Sequence, residues 1–104
     1  MSNKTKLQNP LEINVFLHNS IRLQIIAQLY SVKRLDMKYL RDFLNLSWGN
    51  LSFHITKLEE KGYVTIKKDY IGKIPYTLIQ ITEEGRKQFN IYRKKMSTFL
   101  NLFK

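Results

Sequence analysis

The sequence predicts an α+β fold that is mostly α: a helix-turn-helix, an antiparallel hairpin in a two- to three-stranded sheet, and a long C-terminal helix. Three observations carry this expectation. Helix-capping residues stand in front of each run with helical apolar spacing. The apolar period changes from helical to alternating after Gly62. A final cap, Thr82-Glu83-Glu84, places two carboxylates in the positive first turn of a helix reaching about Phe103.

Taken in order, Asn9-Pro10-Leu11-Glu12 joins a cap, a first-turn proline and an acidic residue three positions after the cap. It predicts a short helix through about Leu17, with Leu11 and Val15 on one side. Asn19 starts a second helix over residues 20 to about 31, burying Ile25, Ile26 and Leu29. Ser31-Val32-Lys33-Arg34 is a basic connector, and Leu35 forms a rung of a small strand. Asp36 caps residues 37–44, whose apolar side is Leu40, Phe43 and Leu44. Asn45-Leu46 allows only a tight turn before Ser47 caps a helix that runs to Lys61 and stops at Gly62. Two helices so closely joined read as helix-turn-helix. Residues 63–69 and 75–81 alternate as two antiparallel strands, with Val64 and Ile66 on one face and Thr77, Ile79 and Ile81 on another. Residues 70–74, centred on Gly72-Lys73, form the hairpin tip.

The 104 residues suffice for one compact domain and not two. Their 43% hydrophobic and 25% charged content is a globular mixture. The absence of cysteine excludes disulfides, iron–sulfur clusters and thiolate zinc sites. With His18 and His54 the only histidines, no metal site and no cofactor is expected. No apolar run approaches the ~20 residues of a membrane span, and the polar start Met1 to Lys6 predicts a cytoplasmic protein. The unbalanced quantity is charge: 18 Lys+Arg against 8 Asp+Glu, a formal +10. Such an excess points to a polyanion, nucleic acid ahead of an anionic membrane; the bland alternative is charge carried for solubility.

The helix from Ser47 to Lys61 offers the sharpest functional reading. Leu51, Ile55 and Leu58 share its buried stripe, while Gly49, Phe53, Thr56 and Lys57 fall opposite, with Asn50 and Ser52 at the margins. Amide and hydroxyl side chains suit base edges in a major groove, and a glycine lets the backbone come close. Phe53 suits thymine methyl groups or a protein contact. Trp48 is expected in the core, and His54 as a half-buried residue with a local hydrogen bond. Lys38 before this helix and Lys67 and Lys68 after it supply phosphate contacts.

These stretches carry a family resemblance. Ser20-Ile21-Arg22-Leu23-Gln24-Ile25-Ile26, Leu40 to Leu46, Gly49-Asn50-Leu51-Ser52-Phe53-His54-Ile55, Leu58-Glu59-Glu60-Lys61-Gly62-Tyr63-Val64 and Ile81-Thr82-Glu83-Glu84-Gly85 resemble winged-helix transcriptional regulators of the MarR/ArsR type, above all the small single-domain ones. The resemblance covers about two-thirds of the chain. It implies a homodimer on a pseudo-palindromic operator, with reading helices in successive major grooves and hairpin wings over the flanking minor grooves. Lys73 becomes the wing-tip contact. Ile74 and Tyr76 flank Pro75 where relatives often carry arginine, and Phe53 replaces a smaller polar residue.

Phe89, Tyr92, Met96, Phe99 and Phe103 are spaced 3, 4, 3 and 4, a seam written largely in aromatic residues. A stripe of that size predicts dimerisation through the last helix, with Leu11 and Val15 beside it; folding back onto its own domain is the alternative. The expected organisation is a flexible basic N-terminus (1–8), a winged helix-turn-helix DNA-binding domain (9–81) and a C-terminal dimerisation helix (82–104). Tyr30, Tyr92 and Met96 are candidates to line an effector pocket. The expected function is a sequence-specific double-stranded-DNA-binding regulator, a homodimeric repressor. The alternative is a winged-helix protein–protein interaction module with Phe53 as anchor, and RNA binding is a weaker variant. No catalytic constellation is visible: Glu59 and Glu60 are helix neighbours diverging by about 100°, and phosphate-loop and nucleophile–histidine motifs are absent.

Overall fold

The computed structural model describes residues 12–103. Among the described residues four helices and three strands follow one another as α1 (Ser20–Val32), β1 (Arg34–Asp36), α2 (Met37–Leu44), α3 (Trp48–Glu60), β2 (Val64–Ile71), β3 (Ile74–Ile81) and α4 (Glu83–Asn101). Each helix begins on a side chain that accepts a first-turn N–H: Asn19 from Arg22, Asp36 from Lys38, Ser47 from Asn50 and Thr82 from Gly85.

The turn between α2 and α3 spans only three residues. Asn45 adopts the left-handed conformation at φ 54°, and Leu46 N–H donates back to the Arg41 carbonyl at 3.1 Å, closing α2. Gly62, at φ 81°, closes α3 in the same manner, with Tyr63 N–H donating to Leu58 O at 3.0 Å. The strands form an antiparallel sheet in the order β1-β3-β2, with Leu35 opposite Ile79 and Ile66 opposite Ile79 from the other side. Gly72 has a positive φ of 65° and Lys73 does not, the pattern of a two-residue type II′ hairpin turn. The tip is therefore tighter than the expected 70–74, and both strands extend closer to it.

A single core joins Leu17, Ile25, Ile26, Leu29, Leu40, Leu51, Ile55, Leu58, Tyr63, Val64, Ile79, Ile81 and Tyr92. Leu17 brings the segment before α1 into that core. The helix expected through Leu17 falls partly outside the described residues, Leu11 with it. Its described part is one turn, in which the Asn14 side chain accepts from Leu17 N–H at 3.1 Å and the Asn14 carbonyl from His18 N–H at 2.9 Å. Local side-chain bonding of this kind competes with helix continuation. Phe43 also departs from expectation. It is exposed and stacks on Tyr39 with ring centroids 5.9 Å apart, because an eight-residue helix buries only Leu40 fully.

Two contacts tie α4 to the body. Gly85 lies so close to the Tyr63 carbonyl that any Cβ would collide with it. The Thr82 hydroxyl accepts from Gly85 N–H at 2.9 Å and donates to the Gly62 carbonyl at 2.6 Å, fastening the start of α4 to the end of α3. Among the described residues no helix is long and apolar enough to cross a membrane.

Candidate nucleic-acid interface

The exposed side of α3 follows from its anchoring. Leu51, His54, Ile55 and Leu58 are its buried residues, and they hold one side against the core. Ser47, Gly49, Asn50, Ser52, Phe53 and Thr56 are consequently turned to solvent, and Lys57 is half-buried. Nothing approaches within 4 Å of the position a Gly49 Cβ would take, so the helix backbone is open to a ligand there. Lys57 reaches over the Phe53 ring at 5.5 Å and pairs with Glu60 at 3.7 Å. Phe53 in turn sets its ring edge-on to His54 at 5.2 Å.

Behind this surface lies a polar contact that no pattern in the sequence announces. Arg22 Nη1 donates to His54 Nδ1 at 3.2 Å, which leaves the imidazole proton on Nε2. Arg22 Nε donates to the Phe16 carbonyl at 2.9 Å, and its guanidinium lies over the Phe16 ring at 4.4 Å. Burial, reinforced by the Arg22 charge, holds His54 below the ordinary histidine range, so its neutral form is the bonded one. His54 is more deeply buried than the half-buried position expected of it.

Trp48 corrects another expectation. It is 47% exposed, not core. As the first residue of α3 it projects toward α2, where the Arg41 guanidinium covers its ring at 4.7 Å. With Lys38, Ile71, Ile74, Pro75 and Tyr76 it lines a cleft of about 320 Å³ between the helix start and the hairpin. Lys38, Lys67, Lys68 and Lys73 are all exposed.

The apolar stripe of α4 divides along its length. Tyr92 is buried and Phe89 packs on Tyr30 at 5.0 Å, so these two serve the protomer's own interior. Burial raises the Tyr92 hydroxyl above its ordinary range, and it hydrogen-bonds His18 Nδ1 at 2.7 Å. Met96 and Phe99 are half-buried, and Phe103 is exposed, as is Val15. An open apolar groove of about 550 Å³ runs between α1 and α4, lined by Leu23, Ala27, Tyr92, Met96 and Leu100 among others. Tyr30 is not part of it, because Phe89 and the guanidinium groups of Arg86 and Arg93 enclose its ring.

A solvent-facing helix backed by leucines, with a basic two-stranded ribbon at its start, defines a winged-helix nucleic-acid-binding domain. Comparison with known proteins agrees. The chain belongs to the family of winged helix DNA-binding domains, whose profile matches residues 21–100, and that is a family of binders rather than enzymes. An uncharacterized protein of Methanocaldococcus jannaschii is 43% identical over 72 residues, spanning 69% of this chain and 78% of its own. The solved transcriptional regulator homologue protein of Pyrococcus horikoshii OT3 is similar with a TM-score of 0.82 at 24% identity, covering 99% of this chain and 98% of that one. A MarR transcriptional regulator from Methanosarcina mazei Go1 gives a TM-score of 0.67, also at 24% identity, over 90% of this chain and 63% of its own. These two likenesses show the fold.

Proposed function

We propose that the protein is a transcriptional regulator that binds duplex DNA sequence-specifically as a homodimer and represses by occupying promoter DNA. The observation that carries this reading is the division of α3: a buried side of Leu51, His54, Ile55 and Leu58, and an opposite side, with Ser47, Gly49, Asn50, Ser52, Phe53 and Thr56, that is exposed among the described residues. Asn50, Ser52 and Thr56 are the base-reading candidates, with Phe53 against thymine methyl groups and Gly49 allowing close approach. Ser47 and Lys57 mark the ends of that surface, and Lys38, Lys67, Lys68 and Lys73 address phosphates. The exposed Leu100, Leu102 and Phe103 at the end of α4, with Val15 and the α1–α4 groove, support a twin contact there.

Selection of bound duplexes from a random pool, followed by footprinting, tests the proposal. Two protected half-sites about one helical turn apart are expected. Affinity should fall by about 10³–10⁵ between 50 and 200 mM salt if 6–10 phosphates are neutralised. Asn50→Ala and Thr56→Ala should reduce discrimination among sites more than overall affinity, and Lys73→Ala should weaken all sequences alike. Salt-insensitive binding, or a pool that never converges, refutes it.

A further inference from the structure

The hairpin tip is apolar where a purely electrostatic clamp would be polar. Ile71 and Ile74 form the last rung of the β2–β3 ladder and are 67% and 69% exposed. As directly paired residues they project from the same face of the ribbon. Lys67 and Lys68 are consecutive on β2, so they leave opposite faces, and Lys73 stands at the apex of the turn. Asp69 is the only acidic residue in the hairpin. Across the cleft from the isoleucines are Lys38 and Trp48, the latter the first residue of α3, so the tip lies beside the start of the reading helix.

We infer that the wing is an apolar wedge: Ile71 and Ile74 enter the minor groove flanking the α3 site and part a base step. Lys67 and Lys68 meanwhile hold the phosphates of the two opposing strands. This rests on the DNA-binding reading above. Two sugar–phosphate walls bound a minor groove, and a ribbon with a cation on each face can meet both. Between those walls the two isoleucine side chains carry no hydrogen-bond donor or acceptor, so the rung cannot tell A·T from G·C at the base edges. What they can do is lose water between unstacked bases, as aliphatic wedges do in DNA-bending proteins. Such insertion is easiest at flexible pyrimidine–purine steps, so the wing selects for deformability rather than base identity. A second copy of this chain is a poor occupant for the tip, because it brings the same +10 charge toward three lysines.

The test uses the full chain on its selected duplex, with 2-aminopurine at each flanking step and a fluorophore pair at the ends. The saturated complex should show a rise in 2-aminopurine emission at one step on each side and a bend of roughly 20–90°. Ile71→Ser/Ile74→Ser should abolish both while leaving the salt slope unchanged. Lys67→Ala/Lys68→Ala should lower that slope by about two and leave the bend in the saturated complex. With a TA step placed at the parted position, its replacement by AA should weaken wild type by roughly tenfold and the isoleucine double variant not at all. A saturated wild-type complex that stays stacked and straight overturns the wedge and leaves DNA binding standing. Failure to bind any duplex overturns both. A change in sedimentation of the isoleucine variant, with the bend intact, assigns the rung to a contact between copies and likewise overturns the wedge.

Discussion

Alanine at Gly85 and at Gly49 should move stability in opposite directions, although both glycines sit in the first turn of a helix. At Gly85 the new Cβ meets the Tyr63 carbonyl oxygen and approaches Ile81 Cγ1 to 3.0 Å. That oxygen has little freedom to retreat, since it accepts from Thr82 N–H at 3.0 Å while the adjacent Gly62 carbonyl is held by the Thr82 hydroxyl. Overpacking against fixed atoms costs about 1–3 kcal/mol, and the helix preference of alanine over glycine offsets at most about 1 kcal/mol. With the full offset a net loss of up to about 2 kcal/mol follows, toward the upper end because the clash is with backbone, and each kcal/mol lowers the melting midpoint by roughly 4–8 °C in a domain near this size. At Gly49 the added methyl meets nothing within 4 Å, so the same substitution should stabilise by about 0.5–1 kcal/mol. Parallel urea and thermal unfolding of wild type, Gly85→Ala and Gly49→Ala measures both. A Gly85→Ala protein that unfolds at or above wild type refutes the close approach of α4 to Tyr63. Gly49→Ala has a second readout: it should bind the selected duplex more weakly while being more stable, because its methyl occupies the surface offered to the groove.

Three further outcomes are expected. His54 has its pKa lowered in the folded state, so folded and unfolded chains are both neutral there above about pH 6.5; below that value the unfolded chain takes up the proton first, and stability declines until the folded histidine titrates. His54→Gln should flatten this part of the pH–stability curve, and identical slopes from about pH 6.5 to 5 in the two proteins would contradict the lowered pKa that burial, with the Arg22 charge beside it, imposes on His54. Trp48 is the only tryptophan and lines the cleft beside the wing, so duplex binding should change its emission, in contrast to Trp48→Phe, which becomes spectroscopically silent. Leu100→Glu/Phe103→Glu should abolish the proposed dimer in sedimentation at micromolar concentration, with little effect on urea unfolding of the isolated chain, because both side chains are exposed there.

Local features of the fold were legible from the sequence, and non-local ones were not. Asn19, Asp36, Ser47 and Thr82 could be recognised as caps because a cap bonds an N–H two or three residues away. Gly62 ends α3 for a reason contained in one φ angle. Trp48 was misplaced because at the first position of a helix the 100° periodicity does not decide direction; α2, through Arg41, does. Spacing in α4 revealed an apolar stripe but not what covers it, and α1 takes Tyr92 while leaving the far end open. The Arg22–His54 bond spans 32 residues of sequence, and the His18–Tyr92 bond 74, so neither leaves a local signature.

The junction of Thr82, Gly85 and Tyr63 has a mechanical consequence. Nineteen residues make α4 a rod of about 28 Å, pivoted where it meets the end of α3. A tilt of only 5° at that pivot would swing the far end by about 2.5 Å over a rod of this length. If two copies join through those far ends, the hydroxyl clasp and the missing Cβ together set how far apart the two reading helices stand. The ruler for half-site spacing would then be cut at Thr82 and Gly85, far from any base.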